Sequence, residues 1–177
     1  MTGIEPATAR GGRHQRSRWA LLSYRLPREP STPRIALWRR LKRLGVAQLG
    51  DGLVALPLDA RTREQLEWVA DEVRSHGGSA SLWLAEPGST GQERQVAGDL
   101  AAARAQEYAE LVADAEAALA TSYGQQVRSL ARLRRELRAI RRRDYFPPPE
   151  RGTAQAAVHA LAKVVQGSTD ASEAIRR

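Results

Sequence analysis

An α+β fold is what this sequence predicts, on three observations. The first half alternates short apolar runs with two amphipathic helical stretches in the order β-α-β-β-α-β. A Gly-Asp-Gly turn separates the two middle runs. From residue 93 to about residue 166 the apolar spacing is helical throughout. The expected organisation is a disordered basic tail at 1–17, a compact α+β domain at 18–87, a helical extension at 93–166 and a flexible tail at 167–177.

Residues 19–26 form a continuous apolar run with aromatics, as a central strand should, and Pro27 and Pro30 end it. Ser31 is a plausible N-cap with Pro33 in the first helical turn. The helix then runs to about Leu44 with Ile35, Leu37, Trp38, Leu41 and Leu44 as its apolar stripe, and Gly45 is its stop. Two short strands at 46–49 and 53–56 flank Gly50-Asp51-Gly52, and Asp-Gly is a strong hairpin signal. Asp59 or Thr62 caps the next helix, and Thr62 with Gln65 fits a capping box. Leu66, Val69, Ala70 and Val73 recur at helical spacing and predict one buried face, and His76-Gly77-Gly78 ends the helix. Residues 79–85 alternate, which predicts a half-buried strand with Ala80, Leu82 and Leu84 on one face. Four strands and two helices in this order make the ferredoxin-like split βαβ arrangement, with both helices on one face of an antiparallel sheet.

Residues 86–92 read as a linker. The Ala-rich, acidic stretch 93–122 carries Val96, Leu100, Ala103, Glu107, Leu111, Ala115 and Leu119 roughly on one line. After Tyr123-Gly124, residues 125–143 form a second helix, with Val127, Leu130, Leu133, Leu137 and Ile140 opposite a basic stripe. An acidic helix followed by a basic one predicts an antiparallel hairpin with complementary charge. Asp144-Tyr145-Phe146 and three prolines cannot continue a helix; such a loop packs its aromatics on the body and redirects the chain. A last helix is expected at about 153–166.

Composition narrows the chemistry. With 42% hydrophobic residues a core is within reach, and no apolar run approaches the ~20 residues of a membrane span. The absence of cysteine excludes disulfides, thiolate nucleophiles, Cys-ligated zinc and iron–sulfur clusters. The start carries no apolar leader, which points to the cytoplasm. The net charge of +8 points to anionic partners. It concentrates in residues 19–45, which carry +6, and in 123–143, which carry +7. Nearly all of it is Arg, whose planar guanidinium contacts phosphate-like anions bidentately.

Two basic clusters are therefore the candidate binding residues. Arg34, Arg39, Arg40, Lys42 and Arg43 lie on the first helix, and Arg128, Arg132, Arg135, Arg138, Arg142 and Arg143 on the extension. Three readings stay open: contact with DNA phosphates, pairing with the chain's own acidic helix, and binding of an oxyanion. No helix-turn-helix is visible. His14, His76 and His159 are far apart and predict no metal site. Trp19, Trp38, Trp68 and Trp83 are expected in the core or a dimer interface, with Trp83 opposite the buried face of its strand.

The segments RWALLSYRLPREPSTPRIALWRRLKRLGV, GDGLVALP, REQLEWVADEVRSHGG and LRRELRAIRRRDYFPPP resemble the N-terminal domain of the ChrB family of chromate-resistance regulators. The resemblance covers about residues 18–165. It implies a transcriptional regulatory module in chromate resistance, with DNA, and chromate or another oxyanion, as expected partners. Full-length relatives are expected to carry a second, C-terminal domain. The first unit also resembles the ferredoxin-like domain of phenylacetate-degradation repressors and of a small CRISPR-associated nuclease. Such a nuclease needs a carboxylate at the end of the first strand, where this chain has Ser23-Tyr24-Arg25-Leu26. The expectation is a non-enzymatic, cofactor-free protein off the membrane, paired as a homodimer along sheet edges. The alternative is an interaction scaffold whose arginines serve its own acidic helix, and a metal-dependent nuclease is third.

Overall fold

A computed structural model describes residues 17–175, so the expected tail at 1–17 lies almost wholly outside the described residues. The order is β1 (Trp19–Arg25), α1 (Thr32–Leu44), β2 (Ala47–Gly50), β3 (Leu53–Pro57), α2 (Ala60–Ser75), β4 (Ser79–Ala85), α3 (Thr90–Leu119), α4 (Tyr123–Arg141) and α5 (Glu150–Ile175). The four strands form one antiparallel sheet in the order β2-β3-β1-β4, the ferredoxin-like order. Apolar β1 is central: Leu21 stands opposite Ala55 on one side and Trp83 on the other.

Alternation along β1 divides the interior. Ala20 and Leu22 point to α1 and α2, where they meet Leu37, Leu41, Val54, Leu56, Leu66, Val69, Ala70 and Val73. Trp19 points to the opposite face and packs with Ala47, Ala55 and Leu100, the last from α3. A third core lies within α3, α4 and α5 around Tyr108, Leu111, Leu133, Ile140, Val158 and Leu161. The extension is thus a three-helix bundle with its own interior. Its first helix serves both cores, since Val96 and Leu100 cover the sheet while Tyr108 and Leu111 begin the bundle.

Several local expectations change. The capping box of α2 is Asp59 with Thr62, not Thr62 with Gln65: the Thr62 amide donates to Asp59 at 2.6 Å and the Asp59 amide to the Thr62 hydroxyl at 2.9 Å. Thr62 also donates to the Pro57 carbonyl, which draws it into the interior. Ser31 is the N-cap of α1, but its side chain makes no capping bond because its backbone is already helical. On α1 only Leu37 and Leu41 are fully buried, and Ile35 and Trp38 face solvent. Of the four tryptophans only Trp19 is core; Trp38, Trp68 and Trp83 are exposed. Leu84 is exposed as well, since α2 reaches β4 only as far as Ala80 and Leu82. The linker is shorter than expected, with Ser89 capping α3 by accepting from the Gln92 amide at 3.1 Å. The backbone of α5 stays helical to Ile175, beyond the end expected at about residue 166. No proline interrupts that stretch, and a single Gly167 costs a helix only about 1 kcal/mol.

Candidate functional site

The loop after α4 fixes the bundle to the sheet domain. Asp144, Tyr145 and Phe146 each take a partner from a different element. The Tyr108 hydroxyl of α3 donates to Asp144 at 2.8 Å, and Arg151 of α5 approaches the same carboxylate at 3.6 Å. The Tyr145 hydroxyl donates to the Leu44 carbonyl at the end of α1 at 3.0 Å. Phe146 stacks on Trp19 of β1 with ring centroids 5.9 Å apart. The loop therefore packs its aromatics on the body, and the three prolines then redirect the chain into α5. Burial, followed by the Asp144 hydrogen bond and charge, pushes the Tyr108 phenol up to about 12. Burial also raises Tyr145, against the nearby Arg61 charge, and raises Tyr24, helped by Asp51.

This anchoring sets how α4 presents its arginines. One flank faces α3. Arg132 pairs with Asp114 at 2.8 Å and with Glu136 at 3.3 Å; Arg143 pairs with Glu107 at 2.8 Å. As the chain advances from 132 in α4 to 143 just after it, the partner on α3 recedes from 114 to 107, the register of an antiparallel hairpin with complementary charge. Glu107 also holds Arg104 at 2.9 Å, and that guanidinium is almost completely buried. Behind it, Gly45 turns left-handed at φ 69°, and a Cβ there would lie 2.6 Å from an Arg104 nitrogen. The outer face of α4 is different. Arg128, Arg135 and Arg142 recur every seventh residue, near two turns, so they line up, and Arg138 lies beside them. All four side chains are exposed and make no ion pair among the described residues.

The α1 cluster is split in the same way. Arg40 pairs with Glu72 of α2. The Lys42 ammonium lies 5.2 Å over the Trp38 ring, which covers part of that exposed indole. Arg34, Arg39 and Arg43 are exposed and without an ion pair among the described residues. The structure does not join the two clusters into one stripe. It does bring their ends together: Arg43 of α1, Arg142 and Arg143 after α4, and Arg61 of α2 line one cleft of about 260 Å³ with Gln65 and Tyr145.

Sequence reasoning does not assemble Arg61, Gln65, Arg104, Glu107 and Asp144 into a site. A line drawn from Leu100 at steps of four reaches Arg104 and Tyr108, and would have placed both inside. Nothing local marks Arg61 or Gln65. No helix among the described residues is long and apolar enough to cross a membrane.

Fold and site define a class, a ferredoxin-like domain braced by an arginine-rich three-helix bundle. The family described as Protein ChrB, N-terminal, matches residues 34–175, and the chain belongs to that family. It is 30% identical over 133 residues to Protein ChrB of Cupriavidus metallidurans, covering 73% of this chain and 40% of that relative. The chain thus spans less than half of that protein's length. Membership associates the chain with chromate resistance. Among solved structures it is similar in fold to the uncharacterized protein Rv0674 from Mycobacterium tuberculosis, with a TM-score of 0.54, 18% identity, and 89% of this chain and 64% of that one covered.

Proposed function

We propose that the chain is a transcriptional regulatory module of chromate resistance that contacts DNA phosphates through the outer face of α4, and that it works by binding and not by catalysis. The observation that carries this reading is the division of the helix's charge. Arg132 and Arg143 are neutralised by α3, whereas Arg128, Arg135, Arg138 and Arg142 are exposed with no ion pair among the described residues. Guanidinium groups left free along one line match a phosphate backbone, and releasing its counterions supplies affinity. Arg34 and Arg39 of α1 would add to the same field. The end of β1 offers Ser23 and Arg25 where a metal-dependent nuclease needs a carboxylate. A homodimer belongs to the same reading: β4 is an edge strand with no charged residue, and it exposes Trp83 and Leu84.

The test is binding of the purified protein to its own upstream promoter DNA against scrambled DNA, at two salt concentrations, with and without chromate. Preference for the promoter and release by chromate support the regulator. The triple variant Arg128→Gln, Arg135→Gln, Arg138→Gln should then lower the salt slope by about 0.9 for each phosphate it no longer neutralises. Equal binding to both DNAs, unmoved by chromate, would favour the interaction scaffold, whose support is that Arg40, Arg132 and Arg143 already serve the chain's own acids.

A further inference from the structure

The two edges of the sheet are built differently. β2 is four residues long, and its pairing with β3 shifts register between Gln48 and Gly50. A short, irregular strand blunts an edge. β4 is seven residues long, pairs with β1 in unbroken register, and contains neither a charged residue nor a proline. Its outer row of backbone N–H and C=O groups meets no further strand among the described residues. Trp83 and Leu84 are exposed on its opposite faces. Such an edge is a template for another strand. Charge flanks it at both ends. At the start, Arg74 of α2 donates to the Ala80 carbonyl at 2.9 Å and meets Asp71 at 2.8 Å through its other nitrogen. Just past the end, Glu86 is exposed and makes no ion pair among the described residues.

We propose that β4 pairs antiparallel with β4 of a second copy, centred on Trp83, so that two four-stranded sheets join edge to edge. The proposal rests on the homodimer reading above and gives it a register. Directly opposed residues of antiparallel strands share a face. Centring on Trp83 therefore sets it against the partner subunit's Trp83, Leu84 against the partner's Leu82, and Ala80 against the partner's Glu86. The two exposed indoles then cover one another. Leu84, which α2 of its own chain does not cover, packs beside the partner's Leu82, a residue in contact with the α2 core. By alternation Glu86 follows Leu82 and Leu84 onto the α2 face, where it meets the Arg74 guanidinium beside Ala80. Two-fold symmetry makes this ion pair twice. A shift of the centre by one residue either way moves Glu86 about 7 Å along from Ala80 and away from that guanidinium. Pro87 falls opposite Ser79 and, having no N–H to donate, ends the ladder. One strand thus supplies both halves of every contact, as a two-fold interface requires. The paired segment 81–85 is only about 17 Å long, so the interface is small and the dimer should dissociate on dilution.

The chain has no cysteine, so introduced pairs report the register directly. Residues 81 and 85 of one strand lie about 14 Å apart, beyond the reach of a disulfide, so a disulfide in Ser81→Cys/Ala85→Cys can only join two copies. Mild oxidation of this variant of the full chain should give a covalent dimer on a non-reducing gel. Ser79→Cys/Ala85→Cys, whose cysteines face each other only in the shifted register, should stay monomeric. In sedimentation equilibrium the parent should pass from monomer to dimer as concentration rises. Glu86→Arg and Arg74→Glu should each weaken dimerisation about three- to tenfold, and the two together should restore it. Circular dichroism verifies that each variant folds. A parent that stays monomeric at every concentration overturns the pairing and the homodimer reading with it. A dimer that Ser81→Cys/Ala85→Cys does not cross-link, or that the combined charge reversal does not restore, overturns the pairing alone.

Discussion

Replacing Tyr108 by Phe tests whether the loop after α4 is held by its buried polar contact. The ring is fully buried and its hydroxyl donates to Asp144 at 2.8 Å. The Asp144 side chain has no exposed surface, and the Arg151 guanidinium at 3.6 Å is then its only partner among the described residues. A hydrogen bond to a charged group is worth about 1.5–3 kcal/mol, so the variant should lose about 2–3 kcal/mol. For a chain of this size each kcal/mol moves the thermal midpoint by roughly 2–4 °C, which gives a fall of roughly 4–12 °C. Protons provide a second readout. The Tyr108 pKa rises from 10.0 in the free phenol to about 12 in the fold. A folded pKa above the unfolded one means that this stabilisation is complete below the unfolded value and is lost as pH climbs through the folded one. At about 1.4 kcal/mol per unit, close to 3 kcal/mol drains away across that window. Chemical denaturation of parent and variant at a series of alkaline pH values isolates the effect, because Tyr24 and Tyr145 are common to both. A variant within about 0.5 kcal/mol of the parent at neutral pH, with a gap that does not shrink in alkali, would refute the reasoning.

Three further changes probe the joint and the surface. Gly45→Ala puts a Cβ on a left-handed residue and 2.9 Å from the Arg143 Cβ, so urea denaturation should show a loss of about 2 kcal/mol or more. Phe146→Ala removes the ring stacked on Trp19 and should cost about 2–3 kcal/mol by the same measurement, less than a fully buried Phe because its own site is half-buried. Trp83→Glu puts a charge on the exposed edge strand; in sedimentation equilibrium it should leave a monomer if copies pair along β4, with no loss of thermal stability in the isolated chain.

The sheet domain was legible because its signals are local. The Asp51-Gly52 turn, the alternation in β4 and the buried face Leu66, Val69, Ala70 and Val73 each follow from a few neighbouring residues. Where the structure departs from the pattern, the deciding partner is remote. Ile35 and Trp38 continue an apolar stripe on α1, yet only Leu37 and Leu41 reach the core, because α2 occupies the rest of that sheet face. The line expected on α3 runs through Ala103 and Glu107, whereas the buried line runs through Leu100, Arg104 and Tyr108. An Ala-rich helix has little contrast between its faces, and a long Arg stem counts as apolar surface once its head is paired. The α2 cap differs on a smaller point: Asp59 and Thr62 are each a good cap by residue type, and the fold uses them together as one reciprocal pair.

The arginine stripe shows the same limit more sharply. Its existence is written in the sequence of α4, but its division into structural and free members is not. That division depends on which flank meets α3, and the flank is set by Asp144, Tyr145 and Phe146 gripping three separate elements. Once those grips exist, Arg132 and Arg143 fall opposite Asp114 and Glu107, and Arg128, Arg135, Arg138 and Arg142 are left without an acid among the described residues. The short loop therefore does more than redirect the chain. By holding the end of α4 against α1 and α2 it fixes which arginines support the fold, which face solvent and which converge on the cleft. A change in the loop should consequently disturb binding at residues it never touches, whereas a change at Arg128 or Arg135 should leave the joint intact.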